Sequence, residues 1–366
     1  MRLLRKIVSL YSIERIQILS VFHLLETSIA FFQVLDKISE LKSLIAIPYS
    51  VEKGTLEKYK EIFKGTNISY PGTIEEIPGV LIREYRKLSM DRPIIIIDVG
   101  GYASGIIDEL IKINPNIIGI IEDTNHGHWQ YEKIRSNLKI PVCSIAQSSI
   151  KSLENRLVGK AIVFSLEDIL REYFYKTFCG LNIGLLGYGQ IGRSVVRSLK
   201  NKDSITYVWD INPIKRFEAR LDGHIVPKNK WGVIKNVDII IGVSGSHSFT
   251  FKDIAHLKEN TIIASGSSKD AEFHYDDLIK NSKIIKENNI ITELSVNGKN
   301  FIMLNQGRPL NFLNNSVLSS VLELIFIELY LCIFSILRKE NINGLYQIDN
   351  KYHRIILKLW EDEYIL

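Results

Sequence analysis

The sequence predicts an α/β protein of two domains, one inserted in the other, each built on a parallel sheet. Three observations predict it. Short apolar runs alternate with helix-spaced segments, the pattern of strands covered by helices on both faces. A glycine-rich turn, Gly187-Tyr-Gly-Gln-Ile-Gly192, separates an apolar run from a helical segment near mid-chain. The length of 366 residues, with 46% apolar and 24% charged content, suffices for two cores.

Composition narrows the partners. The net charge of +5 is spread along the chain without a basic block, so it makes no case for nucleic acid. Cys143, Cys179 and Cys332 are odd in number and far apart, as in a reducing cytoplasm rather than a disulfide framework. The first residues carry Arg2, Arg5 and Lys6, but Glu14 and Arg15 interrupt the apolar run and no small-residue cleavage site follows. Residues 317–337 are strongly apolar, yet Glu323 and Glu328 break them below spanning length. A buried or subunit-interface helix is expected there, and no membrane partner.

Taken in order, residues 13–35 have apolar positions at helical spacing, and 44–47 read as a strand ended by Pro48. Amphipathic helices follow at 51–63 and 74–88. Four consecutive isoleucines make 93–99 a buried strand, stopped by Gly100-Gly101. A helix at 106–113 precedes a strand at 117–121 that ends in Glu122-Asp123, and 141–145 form a further strand. Ligands of such a sheet belong beyond its carboxyl ends, near Pro48-Tyr49, Gly100-Gly101, Asp123 and Ala146. Residues 149–178 read as a long helix leading to the second domain.

There, 181–186 suit a buried strand. Gly187 allows a tight turn, Gly189 lets backbone approach a pyrophosphate, and Gly192 lets helix and strand pack closely. The helix start offers free N–H groups and a positive dipole end to phosphates. A second strand, 205–209, ends at Asp210, whose carboxylate suits ribose hydroxyls and disfavours a 2′-phosphate. Strand, glycine turn, helix, strand and acid together predict a Rossmann domain binding NAD, with Lys215 and Arg216 keeping NADP open. Beyond it come a helix (213–221), a strand (237–243), Gly245, a helix (252–258), a strand (261–264), and short strands over 282–304 turning at Asn297-Gly298. The expected division is a substrate domain over 1–155 completed by 312–345, the inserted Rossmann domain over 156–311, and a short terminal segment, 346–366.

Five ordered motifs resemble the S-adenosyl-L-homocysteine hydrolase family. Ser148-Ser-Ile-Lys-Ser-Leu-Glu-Asn-Arg-Leu-Val-Gly159 is similar to its Ser-Val-Thr-Lys-Ser-Lys-Phe-Asp-Asn-Leu-Tyr-Gly, and Glu122-Asp-Thr-Asn-His-Gly127 to Glu-Glu-Thr-Thr-Thr-Gly. Gly187-Tyr-Gly-Gln-Ile-Gly192 resembles Gly-Tyr-Gly-Asp-Val-Gly, which brings Gln190 and Ile191 into the cofactor site. Asp210-Ile-Asn-Pro-Ile214 resembles Glu-Ile-Asp-Pro-Ile, and Gln306-Gly-Arg-Pro-Leu-Asn311 resembles Glu-Gly-Arg-Leu-Val-Asn. The resemblance implies transient oxidation of a nucleoside 3′-hydroxyl by tightly held NAD. It makes Lys151 the base for that hydroxyl, a role that asks for a lowered pKa. It makes Asp123 the acid that holds the substrate ribose, and sets Thr124, Ser244 and Asn311 on the nicotinamide side. His23, in His-Leu-Leu-Glu-Thr, is similar to the family's N-terminal His-x-x-x-Glu-Thr with one residue missing, and is a further acid/base candidate. A homo-oligomer is implied as well.

The chain also departs from the family. Asp-Asp-Gly-Gly is here Asp98-Val99-Gly100-Gly101, so the acid serving the 5′ elimination is Val99. The carboxylate four residues after the lysine is Asn155, adjoined by Glu154, and the asparagine five before it is Ala146. The family's loop histidine falls at Ser267, and its Gly-His-Pro loop is missing after Asn311. Valine cannot move a proton, so the expected chemistry is oxidation of a secondary alcohol on a nucleoside or similar polyol, ahead of thioether hydrolysis. A non-catalytic NAD-binding regulator and a 2-hydroxyacid-type dehydrogenase are the alternatives. His126 and His128 stand near Glu122 and Asp123, but no spaced Cys/His set accompanies them, so no metal is expected. Ser244-Gly-Ser-His247 lacks the spacing of a nucleophile elbow.

Overall fold

A computed structural model describes the chain except at residues 14, 52, 268–271, 315, 318–319, 341–342 and 365–366. It divides into two compact α/β units, Met1–Glu154 with Leu318–Leu366, and Asn155–Val317. The strands are β1 (Gln17–Phe22), β2 (Glu40–Ala46), β3 (Asn67–Ser69), β4 (Ile94–Asp98), β5 (Ile117–Glu122), β6 (Pro141–Ser144), β7 (Asn182–Leu186), β8 (Ile205–Trp209), β9 (Ile239–Gly242), β10 (Thr261–Ser265), β11 (Lys283–Glu287), β12 (Ile291–Val296), β13 (Lys299–Leu304) and β14 (Gly344–Tyr346).

The first unit has one sheet in the order β14-β6-β5-β4-β1-β2-β3, every pair parallel. The chain leaves β1 toward β2 on one side and returns to β4 on the other, so the carboxyl ends of β1 and β4 flank a topological switch point. Here the expected helix over 13–35 is corrected. Gln17–Phe22 is an interior strand, and only Ile29–Ile38 is α-helical. All six strand residues are buried. A run apolar on both faces has no alternation to set it apart from a buried helix, and pairing with both β2 and β4 decides. Gln17 is tolerated in that core because its amide exchanges hydrogen bonds with the backbone of Ser89, 2.9 Å to the carbonyl and 2.8 Å from the N–H.

The terminal segment is also not separate. β14 adds to the sheet beside β6, and the helix Asn350–Tyr364 buries Tyr352, His353 and Ile356. A three-residue strand leaves too little periodicity to be read in advance. The helix Ser320–Leu337 is long and apolar enough to cross a membrane, but most of it is buried, packed on β5 and β6. Gly119 permits that approach, since a Cβ there would lie 2.8 Å from Ile336. The helix spends its apolarity on this core and gives no separate ground for a subunit contact.

The second unit's sheet runs β11-β12-β13-β10-β9-β7-β8. β8, β7, β9, β10 and β13 are parallel, while β12 and β11 continue antiparallel. The turn between β12 and β13 has Asn297 and Gly298 at φ of 51° and 79°, the left-handed pair that a tight hairpin requires. The expected helix at 252–258 is a 3-10 segment, Phe251–His256. The unit ends at Val317 rather than 311. The helix Ser149–Phe174 contributes to both units, the division falling after Glu154.

Candidate functional site

The first unit gathers its polar side chains at the carboxyl ends of its strands. Asp123 follows β5, and Lys151 stands in the first turn of Ser149–Phe174, just beyond β6. Lys151 Nζ lies 2.8 Å from Asp123 Oδ1 and contacts Glu154 as well. The lysine, Asp123 and Glu154 side chains are only 10%, 12% and 13% exposed. Burial pulls the ammonium down, but the charges of Asp123 and Glu154 outweigh it, and the pKa is raised. This corrects the expectation of a lowered lysine pKa. Two acids face Lys151 where the base role asks for a cation or none.

His23 follows β1 and hydrogen-bonds through Nδ1 to Ser50 Oγ at 2.7 Å. Burial, and then the charge of Lys151, lower it to about 3, so it stays neutral and shares the lysine's surroundings. Glu328, from the middle of Ser320–Leu337, is fully buried. It accepts from Ser148 Oγ at 2.9 Å and lies 2.6 Å from His353 Nε2. Glu328 and His353 were missed in the sequence. A glutamate inside so apolar a helix was itself a signal, because an acid in a core needs a polar partner. His353 gave none.

Asn155, a catalytic candidate by its place four residues after the lysine, carries no acid there; the carboxylate on Lys151 is that of Glu154. Asn155 belongs to the second unit, where its amide donates to Gln190 Oε1 at 2.6 Å.

A second buried acid pair shapes the same edge of the sheet. Asp98, ending β4, accepts from Tyr131 and from the N–H groups of Tyr102 and Ala103. Burial still pushes it up to about 6. Glu122, raised well above its usual value by burial and then by Asp98, takes hydrogen bonds from the N–H groups of Gly100, Asp123 and Thr124. Its oxygens leave no room beside Gly127, where a Cβ would come within 1.9 Å of Glu122. Thr124 caps the helix Asn125–Lys133, accepting from the Gly127 N–H at 3.0 Å and donating to Glu122 at 2.9 Å. The loop of Gly100-Gly101 is thus built around retained acids. Val99, between them, is buried and apolar.

In the second unit the glycine turn is set by backbone contacts. Gly187 has φ 107°, and a Cβ there would meet the Ser244 backbone at 2.7 Å. At Gly192 a Cβ would lie 2.3 Å from the Gly187 carbonyl. Gly189, by contrast, has nothing within 4 Å of such a Cβ, and it is the N-cap of the helix Gln190–Leu199 that carries Ile191. A close-packed turn whose middle glycine opens outward beside a helix N-terminus fits a pyrophosphate.

Asp210 orients the same loop, accepting from the Tyr188 N–H at 2.6 Å and the Asn212 N–H at 2.8 Å. Lys215 is engaged with Glu218 at 2.9 Å, and Arg216 donates to the carbonyls of Asp210 and Ile211. Ser244 donates to the buried Glu272 at 2.9 Å. Glu272 also binds the N–H groups of Ser244 and Gly245, and burial raises it to about 7. Asn311 is buried and donates to Ser316 Oγ at 3.1 Å. Of the family's loop-histidine segment, residues 268–271 lie outside the described residues.

Residues 161–317 match the family model for the S-adenosyl-L-homocysteine hydrolase NAD-binding domain. The second unit belongs to that family. The chain also has distant relatives that extend beyond this domain. It is 26% identical over 280 residues to an adenosylhomocysteinase of Thermotoga maritima, covering 75% of this chain and 69% of that one. It is 28% identical over 242 residues to an S-inosyl-L-homocysteine hydrolase of Methanocaldococcus jannaschii, covering 64% and 58%. An adenosylhomocysteinase of Thermococcus kodakarensis is 27% identical over 235 residues, 62% of this chain and 55% of its own. The chain therefore spans little more than half the length of two of these three relatives.

Proposed function

We propose that the protein is an NAD-dependent enzyme of the adenosylhomocysteinase type that oxidises a secondary, 3′-type hydroxyl on a nucleoside or related polyol. The observation that carries this reading is the Lys151–Asp123 pair at the carboxyl ends of β5 and β6, in a chain whose second unit belongs to the NAD-binding family. NAD held at the glycine turn would supply the hydride acceptor. Asp123 is suited to accept hydrogen bonds from ribose hydroxyls, and Lys151 to hold negative charge on an oxygen losing its proton. NAD is favoured over NADP because the Asp210 carboxylate, at the end of β8 and bonded to the glycine turn at Tyr188 N–H, would repel a 2′-phosphate, while Lys215 and Arg216 are turned to Glu218 and to backbone carbonyls.

Release of a 5′ thioether is not part of the proposal. The position that would move that proton is Val99, buried among apolar neighbours. The substrates named by the relatives make nucleosides the first ligands to test. Purified protein is mixed with NAD and, in turn, adenosine, inosine and S-adenosylhomocysteine, with NADH absorbance and free homocysteine followed together. NADH formation without homocysteine is expected. Homocysteine release would overturn the argument from Val99, and NAD binding with no turnover of any nucleoside would leave a regulatory NAD-binding protein. A cytoplasmic homo-oligomer belongs to the same proposal, its size to be read by light scattering.

A further inference from the structure

Three carboxylates converge on a single lysine in the first unit, and water has little access to any of them. Asp123 comes from the end of β5, Glu154 from one turn beyond Lys151, and Glu328 from the middle of Ser320–Leu337. Lys151 Nζ contacts the first two. Glu328 is joined to the same turn through Ser148, whose Oγ donates to Glu328 at 2.9 Å and accepts the Lys151 N–H at 2.9 Å. On its far side Glu328 meets His353 Nε2 at 2.6 Å, and both of those side chains are buried.

Charge counting restricts what such a group can hold. With all three acids ionised against Lys151 and at most one imidazolium at His353, at least one unbalanced negative charge would sit out of water. Like charges in a dry site do not all ionise; one keeps a proton, and the protons then belong to the set rather than to one residue. Lys151 keeps its own, since two acids press on it. The other neighbours take no share. His23 is neutral, lowered by burial and by Lys151 itself. Cys332, one helical turn beyond Glu328, is a thiol raised by burial and by Cys143. The carboxyl of Glu154 is raised by burial and by Asp123 and Glu328, against the pull of Lys151. That of Glu328 is raised by burial and relieved by His353.

We propose that Lys151 is a standing cation in this protein, and that the proton exchanged at the site is carried by Glu154 together with the Glu328–His353 pair. This rests on the reading that a secondary hydroxyl is oxidised beside Lys151. With the shared proton held at Glu328, Glu154 is an ionised carboxylate tuned upward from the usual acid range by burial, which fits it to act as a general base. The O–H bond of the substrate breaks and its proton joins a Glu154 carboxylate oxygen. The C–H electron pair leaves as the hydride that the proposed function assigns to oxidised nicotinamide. The Lys151 ammonium loses nothing in the step. It holds the developing charge on the substrate oxygen.

Two measurements on the full chain test the proposal, one of them without turnover. Infrared difference spectra between acid and alkaline buffers should show the C=O stretch of a protonated carboxyl that titrates above the ordinary carboxylate range. Its amplitude should fall in Glu154→Gln and in Glu328→Gln, and its midpoint should move in His353→Gln. No such band, or one that all three variants leave untouched, overturns the proton store whether or not a substrate is known. The second measurement uses the nucleoside found to reduce NAD. Lys151→Arg, a cation that cannot act as a base, should lower kcat but keep the acid limb of the pH profile, while Glu154→Gln should lose about 10²–10⁴-fold in kcat and flatten that limb. The reverse pattern, with Glu154→Gln active and Lys151→Arg silent though its infrared band is intact, returns the base role to the lysine. Failure of every nucleoside would sink the proposed function and leave the spectroscopic result standing.

Discussion

At the glycine turn of the second unit, the parts that matter are backbone. Gly187 and Gly192 are fixed by contacts with main-chain atoms, and Asp210 holds the loop through main-chain N–H groups. At Lys151 in the first unit, the parts that matter are side chains from separate elements. Asp123, Glu154, Glu328 and His353 arrive from the end of a strand and three helices. The first arrangement tolerates little substitution, because a Cβ has nowhere to go. The second can be rebuilt one residue at a time, so long as each buried charge keeps a partner. That difference explains how one chain combines a complete glycine turn with Val99 and Ala146 in the first unit and Asn155 at the start of the second. An acid lost at position 155 has a replacement at Glu154, one residue earlier and on the lysine.

The comparison breaks most visibly at the lysine. Lys151→Met leaves Asp123 and Glu154 facing each other without their cation, and should cost about 3–5 kcal/mol of stability at pH 7 by denaturant unfolding. The loss should shrink in acid as Glu154, its carboxyl already raised by burial, takes up a proton. A loss under about 1 kcal/mol would mean that the cluster is far wetter than its burial implies.

Next comes the backbone side. Gly187→Ala must place a side chain at φ 107° and 2.7 Å from the Ser244 backbone, which should cost about 2–3 kcal/mol and lower NAD affinity with it. Gly189→Ala sharpens the contrast. Its Cβ meets nothing in the protein, so thermal stability without NAD should change by no more than about 0.5 kcal/mol. NAD affinity by calorimetry should nonetheless fall about tenfold, the added methyl standing where the pyrophosphate comes closest. Unchanged affinity would remove the phosphates from this turn.

The same contrast governs what the residues alone could reveal. Gly187, Gly189, Gly192 and Asp210 were legible because a backbone requirement writes itself as residue type at fixed spacing. The alternation of strands and helices in the second unit was legible for a like reason, down to the Asn297-Gly298 hairpin. The first strand of the first unit was not. Gln17–Phe22 is buried on both faces and carries no period that distinguishes it from a helix. The lysine cluster was half legible. Lys151 and Asp123 stood inside recognisable motifs, whereas Glu328 and His353 reach them only through the packing of helices far along the chain. The lysine's pKa was expected low and found raised because Asp123 and Glu154 both close on its Nζ, a contact that the motifs do not spell out.

Glu272 joins the two modes, a buried side chain that holds backbone N–H groups and serine hydroxyls together. It clamps the N–H groups of Ser244 and Gly245 behind the glycine turn, and a Cβ on Gly242 would lie 2.5 Å from it. Burial outweighs those hydrogen bonds and raises its carboxyl from 4.5 to about 7. Below pH 4.5 the group is protonated folded and unfolded alike, and its contribution to stability is fully present. As the pH rises from there, the unfolded chain releases a proton that the folded chain keeps. The contribution therefore declines and is gone once the pH passes about 7, a change of at most about 3 kcal/mol. Glu272→Gln cannot ionise, so the difference in melting temperature between it and the parent should move in the variant's favour from pH 4.5 to 8. A difference that stays flat across that range would mean that Glu272 is already ionised in the folded protein, and that the Ser244 loop is held by a full negative charge.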